Sequence, residues 1–132
     1  MKEVLLGIDD SEERAKIQAE TVVDLFDTED LRVHLLHDFV ENPEGASVIQ
    51  VGAVHRATEI LEDHGVDIEY HEGSGDPADS IIATAEELDV DAIVVAGRKR
   101  SPTGKLLFGS VSQEIILSTE RPVLVCSKAD EK

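Results

Sequence analysis

Short apolar runs alternate along the chain with stretches whose apolar positions recur at helical spacing. Val4-Leu5-Leu6-Gly7-Ile8 predicts a first strand. Asp10 and Ser11 then offer N-caps for a helix over 11–27, with Ile17, Ala19, Val22, Val23 and Phe26 near one face. Residues 31–37 predict a second strand, Glu41-Asn42-Pro43-Glu44-Gly45 a loop, and 46–64 a helix. That helix turns Val51, Val54, Ala57, Ile60 and Leu61 inward and stops at His64-Gly65. Residues 66–70 alternate as an edge strand does, and Gly73-Ser74-Gly75 reads as a turn. Asp76 caps a helix that begins with Pro77 and runs to Leu88. The continuous run 90–96 suits a strand buried on both faces. A helix over 109–119 and a last strand over 122–126 complete the order βαβαβαβαβ. That order predicts an α/β fold in one domain over 1–132, a mainly parallel sheet between two helix layers.

Aromatic residues are only 3% of the chain, so Val, Ile, Leu and Ala must build the core. A chain of 132 residues buries roughly two-thirds of its unfolded surface on folding. No apolar run approaches the roughly 20 residues of a membrane span, and MKEVLLGIDDSEE turns acidic too soon for a signal peptide. Cys126 is the only cysteine, which excludes an internal disulfide and fits a reducing cytoplasm.

Charge changes the picture more. Twelve Lys+Arg against 29 Asp+Glu leave a net charge of −17. Such a chain repels phosphate backbones overall, which argues against nucleic acid as the main partner. Acidity spread along the whole sequence suits a halophilic protein, since at about 1 M ionic strength the Debye length falls to roughly 3 Å.

Residues 92–113, AIVVAGRKRSPTGKLLFGSVSQ, break the pattern: they hold no acid but include Arg98, Lys99, Arg100 and Lys105. Ligands of such sheets bind outside the carboxyl ends of the strands, where this segment and Asp9 both fall. Gly97 allows close backbone approach, and Gly104 suits a left-handed turn. Gly109-Ser110, with Val111 following, opens a helix whose free N–H groups favour an anion. Arg98 and Arg100 add forked positive charge. Taken singly, each of these residues has a plain structural role; the cluster predicts an anion site.

Other motifs fail. Gly104-Lys105 lacks the first glycine and the Ser/Thr of a P-loop, because Lys99 and Leu106 stand there. Gly73-Ser74-Gly75-Asp76-Pro77-Ala78 loosely fits a dinucleotide fingerprint, yet no acid ends the next strand. The five histidines show no metal spacing, and His34 and His37 point to opposite faces of their strand. No metal site and no catalytic residue is expected. Asp38, beside His37, reads most simply as a capping or solvated residue, with a ligand or acid–base role as the alternative.

Five segments together resemble the universal stress protein family: V-L-L-G-I-D-D-S at 4–11, H-L-L-H at 34–37, V-D-A-I-V-V-A-G at 90–97, G-S-V-S-Q at 109–113 and R-P-V-L-V at 121–125. The resemblance implies a Rossmann-like sheet of order 3-2-1-4-5 and a stress-response sensor or regulator. It also implies an ATP or AMP ligand, Mg²⁺ with ATP, and at most weak ATP hydrolysis. The family's nucleotide-binding branch carries G-x2-G-x9-G-(S/T) after the fourth strand. Gly97 and Gly109-Ser110 match its ends, whereas Arg100 stands at the second glycine and the spacer is eight residues. Asp9 matches an aspartate near the adenosine. Asp38 takes the place of a small apolar residue against the adenine, where its carboxylate can accept from the amino group. The family also implies a homodimer through the last strand, here Val123, Leu124 and Val125. The competing expectation is a dimeric interaction module of this fold that binds no nucleotide and turns its basic loop to an acidic partner or inorganic anion.

Overall fold

The computed structural model describes residues 1–39, 51–97 and 109–127. Five strands, β1 (Lys2–Ile8), β2 (Leu31–Asp38), β3 (Asp67–Gly73), β4 (Ala92–Ala96) and β5 (Val123–Cys126), form one sheet. Its order is β3-β2-β1-β4-β5 and every pairing is parallel, as expected. The helices are α1 (Glu12–Leu25), α2 (Gly52–Asp63), α3 (Pro77–Leu88) and α4 (Ser110–Ser118).

Alternation along each strand divides the core into two layers. Val4, Leu6 and Ile8 join Val33, Leu35 and Val94 under Ala15, Ala19 and Val22 of α1 and Val54, Ala57 and Leu61 of α2. The opposite face sends Leu5, Leu36, Ile93 and Val95 against Ala78, Ile81 and Ala85 of α3 and Ile115 of α4. The central strands must therefore be apolar at consecutive positions, which is why they read as continuous runs.

The helix ends follow local chemistry. Ser11 accepts from the Arg14 N–H at 3.2 Å as the N-cap of α1, and Asp76 accepts from the Ala78 N–H at 3.0 Å ahead of Pro77. Asp89 closes α3 in the left-handed region at φ 53°, where Arg121 Nη1 holds its carboxylate at 3.0 Å. Some expected boundaries move. Val51 is the extended N-cap of α2, so that helix begins at Gly52 instead of running through from 46; residues 46–50 and the loop at 41–45 lie outside the described residues. β3 extends to Gly73, which the sequence placed in a turn, because β2 pairs with it as far as Asp38↔Gly73.

One buried polar residue is decisive. β1 and β4 pair only from Val4↔Ala92 to Leu6↔Val94 and then separate. Gln18 of α1, 1% exposed, fills the parting: its Nε2 donates to the carbonyls of Gly7 at 2.9 Å and Val94 at 3.1 Å. Two carbonyls that the ladder abandons are thus satisfied by one side-chain amide. Gln18→Leu keeps most of the volume but orphans both. Chemical denaturation at fixed salt should show a loss of about 1–3 kcal/mol for each carbonyl left unpaired inside the protein.

Candidate functional site

The parting of β1 from β4 opens a cleft of about 220 Å³ outside the carboxyl ends of the strands. It lies where the strand order reverses, the expected ligand position in such sheets. Its floor is Gly7, Ile8, Val95 and Ala96; Leu36, His37 and Asp38 form one wall. Pro77 and Ile81 of α3 face Gly109, Val111 and Ser112 at the start of α4. Gly7 gives room here: a Cβ on it would lie 2.6 Å from Cδ1 of Ile81, which would have to shift.

Four of the residues expected at the site, Asp9, Asp38, Gly109 and Val111, meet in this cleft. Two others do not line it. Gly97 is buried and donates its N–H to the Cys126 carbonyl at 2.7 Å, extending the β4–β5 ladder. Ser110 is exposed as the first residue of α4. Arg98, Arg100 and Gly104 lie outside the described residues.

Local bonds define what each wall can do. Asp9 already accepts from the Ser11 N–H at 2.9 Å and from Arg14 Nε at 2.8 Å, so its carboxylate shapes the β1–α1 turn. His37 donates Nδ1–H to the Ile8 carbonyl at 2.8 Å, which fixes its tautomer and ties β2 to β1 at the cleft floor. Gly109 is the N-cap of α4 and contributes no side-chain cap, so the helix start presents backbone N–H groups. Ser112 Oγ reaches the Ala96 carbonyl at 3.4 Å, holding that turn over the end of β4.

Asp38 is half-buried and bonded to α3. Ser80 Oγ of α3 donates to its Oδ2 at 2.5 Å, while Oδ1 is buried with no hydrogen-bond partner among the described residues. The absence of a side chain at Gly73 makes this possible, since a Cβ there would fall 2.7 Å from Ser80 Oγ and 3.0 Å from Asp38 Oδ2. The sequence reading missed Ser80, Ile81, Ser112 and the role of His37. Ile81 was visible as an inward position of α3, but Ser80 and Ser112 carried no local signal.

The described surroundings are acidic. Asp10 also lines the cleft, and Asp76 precedes Pro77. Asp76 above all, with some loss of solvation and Asp79, raises the pKa of the exposed Glu114 on α4. Away from the cleft, burial and then the Thr21 hydrogen bond act on the Cys126 thiol; burial dominates and pushes its pKa up, so it stays protonated.

The universal stress protein family model matches residues 1–127. A universal stress protein of Mycolicibacterium smegmatis is 36% identical over 74 residues, 55% of this chain and 57% of that one. The matched part is thus little more than half of that relative. The structure of a universal stress protein from Archaeoglobus fulgidus superposes with TM-score 0.76 at 28% identity, covering 96% of this chain and 98% of that one. A structure of a universal stress protein from Archaeoglobus fulgidus in complex with dAMP gives 0.71 at 21% identity, covering 96% and 98%. An Arabidopsis thaliana family protein with AMP bound gives 0.72 at 21%, covering 97% and 92%. At such identities the last two show a shared fold.

Ser80→Ala tests the wall. It leaves the Asp38 carboxylate without its donor and should cost about 1.5–3 kcal/mol, as for a hydrogen bond to a charged group. Thermal melts of Ser80→Ala and of Ser80→Ala with Asp38→Ala should show the second change recovering part of that loss.

Proposed function

The chain belongs to the universal stress protein family, and from that membership we propose that it is a stress-response sensor or regulator that binds an adenine nucleotide in the switch-point cleft. The supporting observation is one cavity that joins Asp38, whose buried Oδ1 lacks a partner among the described residues, to the α4 start, which has no side-chain cap. In this reading the base lies against Ile81 and Asp38 and gives its amino group to the carboxylate. The phosphates reach the Gly109-Ser110 end of α4, where N–H groups and the helix dipole favour negative charge. Relatives of the same fold solved with dAMP and AMP support the ligand class. ATP with Mg²⁺ is the fuller ligand proposed, with Arg98 and Arg100 offsetting phosphate charge and hydrolysis at most weak. The working setting is the cytoplasm at high salt, consistent with a net charge of −17 and a single buried thiol.

Calorimetry with AMP and ATP in molar KCl is the direct check. The expected result is one site per chain and weaker binding in Asp38→Ala and in the Arg98→Ser/Arg100→Ser double variant. The acid around the cleft favours a second reading, an interaction module without nucleotide. On that reading no nucleotide binds, and the double variant instead loses an acidic partner.

The same family reading proposes a homodimer through β5. The Pro122 and Cys126 carbonyls accept from Ile93 and Gly97, so by the two-residue period Val123 and Val125 direct their backbone groups away from β4. Among the described residues no strand pairs with that side of β5, and an edge of this kind invites a second copy. Val125→Pro removes an outward N–H at a position an edge strand tolerates. Sedimentation should show a dimer for the parent chain and a monomer for this variant.

A further inference from the structure

A second polar cluster lies on the α3 face of the sheet, towards its β3 edge, and uses none of the cleft residues discussed above. Register brings Glu3 beside Arg32 and Arg32 beside Asp67 in one row, and sets His34 beside Glu69 in the next. His71 follows Glu69 on the same face of β3, two residues on. The His34 side chain is 2% exposed and that of Glu69 48%, so the cluster runs from the interior to the surface.

The bonding fixes where the donor atoms point. Glu3 Oε1 lies 2.8 Å from His34 Nε2. A carboxylate only accepts, so His34 carries its proton on Nε2 and its Nδ1 lone pair accepts from His71 Nε2–H, a proton that a metal ion on both nitrogens displaces. That lone pair faces His71 Nε2 at 2.9 Å and Glu69 Oε1 at 3.8 Å. The other oxygen of Glu69, Oε2, faces Arg32 Nε at 3.6 Å, so the two oxygens are divided between a cation and the histidine pair. All three donor atoms lie within 4.8 Å of one another.

From this geometry we infer that His34 Nδ1, His71 Nε2 and Glu69 form a binding site for a divalent transition-metal ion of the zinc type. Two imidazole nitrogens and one carboxylate are a donor set that Zn²⁺ accepts, leaving a fourth position for water on the exposed side. Glu3 holds the far nitrogen of His34, the outer contact that orients a ligating imidazole. Ligands at about 2.0–2.1 Å in tetrahedral geometry stand about 3.3 Å apart, so the two nitrogens open by a few tenths of an ångström. His71, on the edge strand and only partly buried, is the ring free to make that turn. Charge agrees: Glu3, Asp67 and Glu69 surround a single guanidinium, Arg32, so the cluster attracts a dication.

The inference is independent of the nucleotide reading and is tested separately. Chelator-treated full-length protein is titrated with ZnCl₂ by calorimetry, and with Co²⁺ for its visible absorption. The expected result is one ion per chain and a tetrahedral cobalt spectrum. Glu69→Gln, nearly half exposed and harmless to the core, should weaken zinc more than tenfold, and His71→Ala should abolish the cobalt band. Glu3→Gln, which alters the outer contact on His34 and removes one carboxylate beside Arg32 but no donor atom, should weaken zinc about 10–100-fold. The inference is overturned if the parent chain binds no zinc, or if Glu69→Gln and a folded His71→Ala retain the parent affinity. It is equally overturned if zinc binding is lost in Asp76→Asn/Glu114→Gln instead, which would place the ion on the carboxylates beside the cleft.

Discussion

The separation of β1 from β4 beyond Leu6 and Val94 is the constraint on which the site depends. A parallel sheet wound outward in both directions from its middle must part at its carboxyl end to leave a crevice. Parting strands abandons backbone hydrogen bonds inside the protein, where water cannot replace them. Gln18 resolves the conflict by spanning the gap from α1, with one amide group on Gly7 and Val94. The cleft begins immediately beyond, and Gly7 keeps its floor low enough for Ile81 to close one side.

Electrostatics then divides the molecule. The surface is strongly acidic, yet the start of α4 meets the cleft without a side-chain cap, and its N–H groups and helix dipole oppose the neighbouring carboxylates. On the opposite wall a half-buried carboxylate is steadied by one serine hydroxyl and by the space at Gly73. Asp38 is half-buried, and a shielded oxygen with no partner among the described residues is the kind of group found where a ligand completes the bonding. The histidine pair nearer the start of β2, on the same face, shows the opposite solution: both nitrogens of His34 have partners.

The order of elements was legible because each signal was local. Ser11, Asp76-Pro77 and Gly65 mark helix ends through bonds and torsions confined to a few residues, and the runs at 4–8 and 92–96 announce strands buried on both faces. Part of the site was legible for the same reason: Asp9 and Gly109 sit at element ends, where open α/β sheets bind ligands. Gln18 was not legible, because a glutamine within a helix looks like surface until the sheet beneath it parts. Nor was Ser80, which becomes informative only when α3 crosses the end of β2. The family resemblance put Asp38 at the site, but its bond to Ser80 was not legible because that partner lies 42 residues away.

Periodicity, caps and charge determined the α/β class, the helix starts and the acidic character, since these depend on neighbours within a turn or two. The five family segments carried the strand order and the expected ligand class. Tertiary structure alone decided which carbonyls Gln18 satisfies, that Asp38 faces Ser80, and that His34 stands between Glu3 and His71. Those outcomes rest on inter-strand register and helix crossing, which bring together residues 11 to 76 positions apart, and no local pattern encodes them.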